Sequence, residues 1–212
     1  GSTSTLVVEL GIALEVKFSR IALITLALGI FTDTKDLKFI AKKRDAPAYL
    51  WLINSEEDIN DDLTELQDFK LPISYFDHLR YALSHMAISG PKFITSLGII
   101  SKDDGDNLAI IADELLKAEG INLVVVFAII GRHIRVSARS SDSALSLDDY
   151  LKGIFGAECS GAKSLYGGYS EGGALIEFFN MSWVDSTKTP EESKAFVFSQ
   201  MRSKIFPTNS EN

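Results

Sequence analysis

Two side chains in this sequence have the type and setting to do chemistry. One is Asp33, a carboxylate at the end of an apolar helical run in Gly29-Ile30-Phe31-Thr32-Asp33-Thr34. The other is Arg139, set among hydroxyls at the end of the strand pattern Ile134-Arg135-Val136-Ser137-Ala138-Arg139-Ser140. A hard divalent cation takes carboxylate oxygen at such a rim, where water and substrate can still enter. A guanidinium offers a planar fork that matches phosphate, and the hydroxyls of Ser137 and Ser140 add donors. Further on, Gly167-Gly168 and Gly172-Gly173 bracket Tyr169, Ser170 and Glu171. Paired glycines let a backbone approach a ligand closely and turn its amides towards an anion. Together these residues point to phosphoester chemistry, although one carboxylate does not make a metal centre.

Each has a plainer role. Asp33 also reads as the cap of a helix through Lys35 to Ala41, and on spacing alone that is the simpler reading. Arg139 also reads as an exposed hairpin arginine paired with an acidic neighbour. The glycine block lacks the Gly-Lys-Ser ending and the strand-to-helix order of a phosphate loop, so a surface turn fits it equally. Of the histidines, His78 falls in a helical pattern and reads as ordinary helix surface, and His85, a turn or two further on, reads as structural. His133 lies in a hairpin beside Arg132, where it could touch a ligand. No Ser-His-Asp set and no metal-binding histidine pair emerges.

The elements that must position these residues follow from periodicity. Helices are expected from Thr5 to about Val16, over Arg20 to Phe31 (apolar nearly all round, hence buried), and from Asp45, as cap, through Ile53. Asn54 to Asp62 is acidic, a solvated loop or helix start, and Leu71 to Met86 carries another helical pattern. Ser89-Gly90-Pro91 is the best boundary. Beyond it come a strand over Phe93 to Ile100, a helix over Asp106 to Ala118 and a buried strand over Asn122 to Ile130. A turn at Gly131-Arg132 leads into the partner strand His133 to Ser140. A helix over Leu147 to Phe155, a glycine- and serine-bearing loop from Gly156 to Gly173, a strand over Ile176 to Met181 and a helix over Pro190 to Ile205 complete the pattern. The fold class is α/β: a helical part over 1–89, then a mixed α/β domain over 90–212.

Composition narrows the partners. With 212 residues, 46% hydrophobic and 24% charged, the chain suits one large domain or two small ones. A net charge of -8 argues against a broad basic surface for long duplexes, while leaving room for a local basic pocket. The single cysteine, Cys159, excludes an intramolecular disulfide and a cysteine zinc cluster, so a cytoplasmic location is expected. The apolar run near Ile21 to Phe31 falls short of a membrane span.

Taken in order, the segments Gly1 to Glu9, Leu28 to Thr34, Asp106 to Leu116, Val124 to Ile130, Ile134 to Ser140 and the glycine block through Ala174 resemble the later part of a DHH-family phosphoesterase, the RecJ-like group. The resemblance covers nearly the whole chain, and Gly29-Ile30-Phe31-Thr32-Asp33-Thr34 is its most specific piece. It implies that 1–89 is the end of the DHH catalytic domain and that 90–212 is the DHH-associated substrate-binding domain. It implies a two-metal site, usually manganese, with Asp33 as one ligand. It also implies that Ser137, Arg139, Ser140, Gly167, Gly168, Gly172 and Gly173 hold phosphate or nucleotide.

Two departures bear on function. The upstream aspartates and the Asp-His-His triplet of the family are absent, so the chain is expected to begin within the catalytic domain and to be inactive alone. The family's glycine-block histidine is replaced, Tyr169 following Gly167-Gly168. With the acidic balance, the resemblance implies hydrolysis of phosphodiester bonds in short single-stranded oligonucleotides or cyclic dinucleotides, with no membrane partner and a homodimer left open. The alternative is a non-catalytic RecJ-like module binding nucleic acid or protein. An exopolyphosphatase or pyrophosphatase is the third class, disfavoured because Tyr166 and Tyr169 would have no base to stack on.

Overall fold

The structure is a computed structural model, and it describes residues 2–35, 37, 43–67, 70–165, 168–177 and 189–206. The chain forms two compact units, Gly1–Leu71 and Pro72–Asn212.

The first unit is helical, with α1 (Thr3–Ala13), α2 (Arg20–Asp33), α3 (Asp45–Ile53) and α4 (Ile59–Gln67). Ser2 caps α1, its Oγ accepting from the Ser4 amide at 3.2 Å, and Ser19 caps α2 in the same way. Val8, Leu23, Ala27, Ile30, Ala48, Leu52, Ile59 and Leu63 make the core. Two glycines let α1 be approached closely. A Cβ on Gly29 of α2 would lie 2.4 Å from Ser4 Oγ, and one on Gly11 would enter the Phe18 ring. The expectation that α2 is buried all round is not met: its buried residues are Leu23, Ala27 and Ile30, while Ile21 is 78% exposed. The unit's other helices cover one side of α2, with Ile24, Leu26 and Leu28 partly buried against the same core and Ile21 facing outwards.

Asp45 is a second correction. The N-cap of α3 is Arg44, which makes no side-chain cap bond; Asp45 is instead buried and reaches α1. Its Oδ1 accepts from the Ser2 amide at 3.1 Å and from Thr5 Oγ1 at 2.6 Å.

The second unit runs α5 (Ile73–Ser84), β1 (Met86–Ser89), β2 (Lys92–Ile99), α6 (Asn107–Leu115), β3 (Leu123–Ile130), β4 (His133–Ser140), α7 (Leu147–Phe155), β5 (Ser160–Ser164), β6 (Ser170–Glu177) and α8 (Pro190–Ile205). The strands form one six-stranded sheet in the order β1-β2-β3-β4-β6-β5. β2 and β3 are parallel, joined through α6, and every other pairing is antiparallel.

Leu123, Val125, Phe127 and Ile129 of β3 join Ile134, Val136 and Ala138 of β4 in a core closed by Leu147 and Leu151 of α7 and Val197, Met201 and Ile205 of α8. The alternate residues Val124, Val126 and Ala128 are also fully buried, and α6 packs on β3 and β4. β3 is therefore covered on both faces, which is why it reads as an unbroken apolar run.

Between β3 and β4 the turn is Gly131-Arg132, with Gly131 at φ +58°, the left-handed backbone such a two-residue hairpin needs. Ser89-Gly90-Pro91 is also a turn, between the paired strands β1 and β2, and the compact units divide earlier, between Leu71 and Pro72. The expected loop from Gly156 to Gly173 contains β5 and the start of β6. Its glycines conceal the strand pattern because they supply no alternation of side chains. β5 is the sheet's edge, and there the Ala162 amide donates to Asp148 Oδ1 of α7 at 2.9 Å.

Candidate functional site

The second unit carries a groove of about 1600 Å³ on the α6 side of its sheet. Three strands floor it. Ser137 and Arg139 of β4 stand opposite Gly173 and Glu171 of β6, and Gly161 and Lys163 of β5 stand opposite the same two β6 residues. Side chains alternate along a strand, so Arg135, Ser137 and Arg139 share this face. One wall comes from Ile100 to Ala109, the other from Ile130 to His133, and Glu158 to Ser160 close the end. The lining cations are Lys102, Arg132, Arg135, Arg139 and Lys163, against the carboxylates Glu158 and Glu171. No Phe, Tyr or Trp lines it among the described residues.

Glycine shapes the floor. A Cβ on Gly173 would lie 2.4 Å from the Val136 carbonyl oxygen, so this strand crossing admits no side chain. A Cβ on Gly172 would meet Ala162 Cβ at 2.5 Å and Leu151 Cδ1 at 2.8 Å. Gly172 thus offers the groove backbone only; its lack of a side chain serves the seating of α7.

Arg139 is not an exposed hairpin arginine. Its side chain is 8% exposed, and its Nε donates to Asp113 Oδ1 of α6 at 2.8 Å. Its NH1 donates to Ser137 Oγ and to the Ala138 carbonyl, both at 3.0 Å. The Tyr169 hydroxyl donates to the same Asp113 oxygen. Burial, followed by this bond, pushes the Tyr169 hydroxyl above the ordinary tyrosine range, so it stays protonated and donating. Tyr169 is therefore a brace for the Arg139–Asp113 pair, not a stacking platform.

The remaining candidates divide. Ser140 is fully buried, on the strand face shared with Ala138 of the core, and its Oγ accepts from the Asp142 amide at 3.1 Å; it does not line the groove. Gly168, at φ +83°, packs against Ser143, also outside the groove lining. Gly167 and Tyr166 lie outside the described residues. Of the expected binding set, the groove thus gathers Ser137, Arg139, Gly172 and Gly173.

In the first unit Asp33 is the last residue of α2, exposed, with its Oδ2 accepting from Ser2 Oγ at 2.7 Å. A carboxylate at a helix C-terminus meets an unfavourable dipole, and the capping hydroxyl of α1 offsets this. The expected helix from Lys35 to Ala41 falls mostly outside the described residues. Among the described residues no three His, Cys, Asp or Glu side chains assemble as a metal cage. His78 bonds to Asn107, His85 stacks on Tyr81 with ring centres 3.9 Å apart, and His133 alone of the three reaches the groove.

Sequence reasoning missed Arg135, Asp113 and Gly105. The signal for Arg135 was present, since it sits four places before Arg139 on the same strand face. Asp113 on its helix and Gly105 in its turn gave none.

These features can be set beside known proteins. No family model matches the chain. A curated relative, the uncharacterized protein MJ1633 of Methanocaldococcus jannaschii, is 30% identical over 159 residues, or 74% of this chain. The chain spans 32% of that relative's length. Among solved structures, an exopolyphosphatase-related protein from Bacteroides fragilis superposes with a TM-score of 0.62 at 17% identity, over 96% of this chain and 57% of the other. The likeness is one of fold. It extends over almost the whole mixed α/β chain. No helix among the described residues is long and apolar enough to cross a membrane.

Proposed function

We propose that this chain is part of a DHH-type, metal-dependent phosphoesterase and that the groove of the second unit receives its phosphate-bearing substrate. The groove carries the reading: among the described residues five cationic side chains, against the carboxylates Glu158 and Glu171, line a glycine-floored cleft in a protein of net charge -8. Local concentration of positive charge on an acidic protein is what selective binding of a small anion requires. The fold shared with an exopolyphosphatase-related protein supports the same reading. On it, 1–89 belongs to the catalytic domain and the rest to the substrate-binding domain.

Asp33 is assigned as one ligand of a two-manganese centre, with Ser2 orienting its carboxylate. The described residues supply no further cage, so they fit one ligand and no more. These 212 residues alone are expected to turn over no substrate. Bound metals would supply an activated water and neutralise developing phosphate charge. The chain's own groove would orient the substrate, and the absent glycine-block histidine takes no part.

The proposed substrates are short oligonucleotides or dinucleotides. A second reading, a base-free polyphosphate chain, gains from the groove having no aromatic lining among the described residues and from Tyr169 being tied to Asp113. The test uses the longest natural form of the protein with manganese, on short RNA, cyclic dinucleotides and polyphosphate, beside its Asp33→Ala variant. Turnover that vanishes in the variant supports the assignment and names the substrate. Turnover that survives removes Asp33 from the centre. No turnover by either protein would leave the groove to a non-catalytic binding module.

A further inference from the structure

Arg135 and Arg139 project from the same face of β4 into the same groove, yet they are not equivalent. Arg139 is buried, ion-paired to Asp113 through Nε, and bonded through NH1 to Ser137 and to the Ala138 carbonyl. Its charge is already neutralised, and an incoming anion would have to displace protein partners to use it.

The Arg135 side chain is 47% exposed, and its nearest carboxylate is Asp106 at 3.9 Å, itself 91% exposed. That separation in solvent is a weak pairing, readily exchanged for another anion. Gly105 makes room for this guanidinium: a Cβ there would lie 2.5 Å from Arg135 NH1. Lys102 belongs to the same turn, its carbonyl accepting from the Gly105 amide at 3.2 Å, and also lines the groove. Lys163, by contrast, is bound to Glu171 at 2.8 Å.

We infer that Arg135, seated over Gly105 beside Lys102, is the residue that grips the anionic group of the ligand, whereas Arg139 with Asp113 and Tyr169 fixes the strand that carries it. This rests on the reading of the groove as a phosphate-ligand site. It assigns recognition to a position the sequence motif does not mark.

Calorimetric titration of the 212-residue chain with inorganic tripolyphosphate and with di-adenylate, each at two salt concentrations, tests it. Arg135→Gln should weaken binding roughly tenfold or more, as expected for loss of a charge-assisted contact. It should also flatten the salt dependence of what remains, and leave the unfolding midpoint near that of the unchanged chain. Gly105→Ala should weaken binding in the same direction by displacing the guanidinium. Arg139→Lys, chosen to keep a charge in the fold, should lower the unfolding midpoint and leave the affinity for both probes near that of the unchanged chain.

Unchanged affinity in Arg135→Gln, with binding by the unsubstituted chain intact, overturns this inference alone. Weakened binding in Arg139→Lys but not in Arg135→Gln does the same and makes Arg139 the reader, because lysine keeps the charge but loses the fork. If the unsubstituted chain binds neither probe, the reading of the groove falls and this inference falls with it.

Discussion

The acid of the helical unit and the arginine of the sheet unit are held in opposite ways. Asp33 ends its helix in the open, with Ser2 on one oxygen and a helix dipole that disfavours its charge. Arg139 is enclosed, with a carboxylate, a hydroxyl and a carbonyl around its guanidinium. The fold gains from Arg139 and gains little from Asp33. A charged side chain that its own fold uses poorly is the better candidate for work on something else. Residue type alone ranks the two equally; enclosure separates them.

Substitutions can break that contrast. The largest effect is expected from Asp113→Asn, which leaves the Arg139 guanidinium buried without its carboxylate and loosens Tyr169. Allowing for the part-exposed acid, it should cost about 2–3 kcal/mol of stability in urea unfolding. A midpoint equal to that of the unsubstituted chain would put Arg139 on the same footing as Asp33.

A smaller effect sharpens the picture of the sheet unit as the enclosed one. Burial pushes the Tyr150 hydroxyl from 10.0 up to about 12, and it donates to the Ile205 carbonyl at 3.2 Å. The folded state therefore holds this proton more tightly than the unfolded chain does. Its contribution to stability is whole below pH 10 and is lost as the pH rises towards 12. Urea midpoints should fall across that window, with Tyr169 adding to the fall, and should fall less in Tyr150→Phe. That variant should also lose about 1 kcal/mol at neutral pH. Equal slopes in both proteins would remove Tyr150 from the account.

The smallest expected change is in Asp33→Asn, within about 0.5 kcal/mol by the same urea measurement, whereas on the proposed reading any manganese-dependent turnover should be lost. A large loss of stability would make Asp33 a structural residue like Arg139.

Much of the second unit was legible because its patterns are local. The Val- and Ile-rich run of β3, Gly131-Arg132 at a two-residue turn, and Ser146 ahead of Leu147–Phe155 each specify their element through nearby residues. β5 was not legible, because Ser160-Gly161-Ala162-Lys163-Ser164 buries too little to alternate. β1 was hidden for a related reason: Met86 to Ser89 is largely exposed, so its apolar residues continue the helical pattern before them. Of the candidate site, the strand face bearing Ser137 and Arg139 could be read from period-two alternation. Its partners could not, since Asp113 lies on α6, and Gly105 matters only because another strand's arginine arrives there. The roles of Asp45 and Ser2 were equally hidden, for they depend on the meeting of α1 and α3.

The bond between Asp148 and the Ala162 amide has a consequence for the sheet as a whole. An edge strand with a free amide is a template on which another chain can add a strand. Here the carboxylate occupies that amide, and Lys152 holds the carboxylate in turn at 2.5 Å. A strand arriving from another molecule would have to displace a charged side chain to pair at the middle of β5, so α7 stands guard over the centre of that margin.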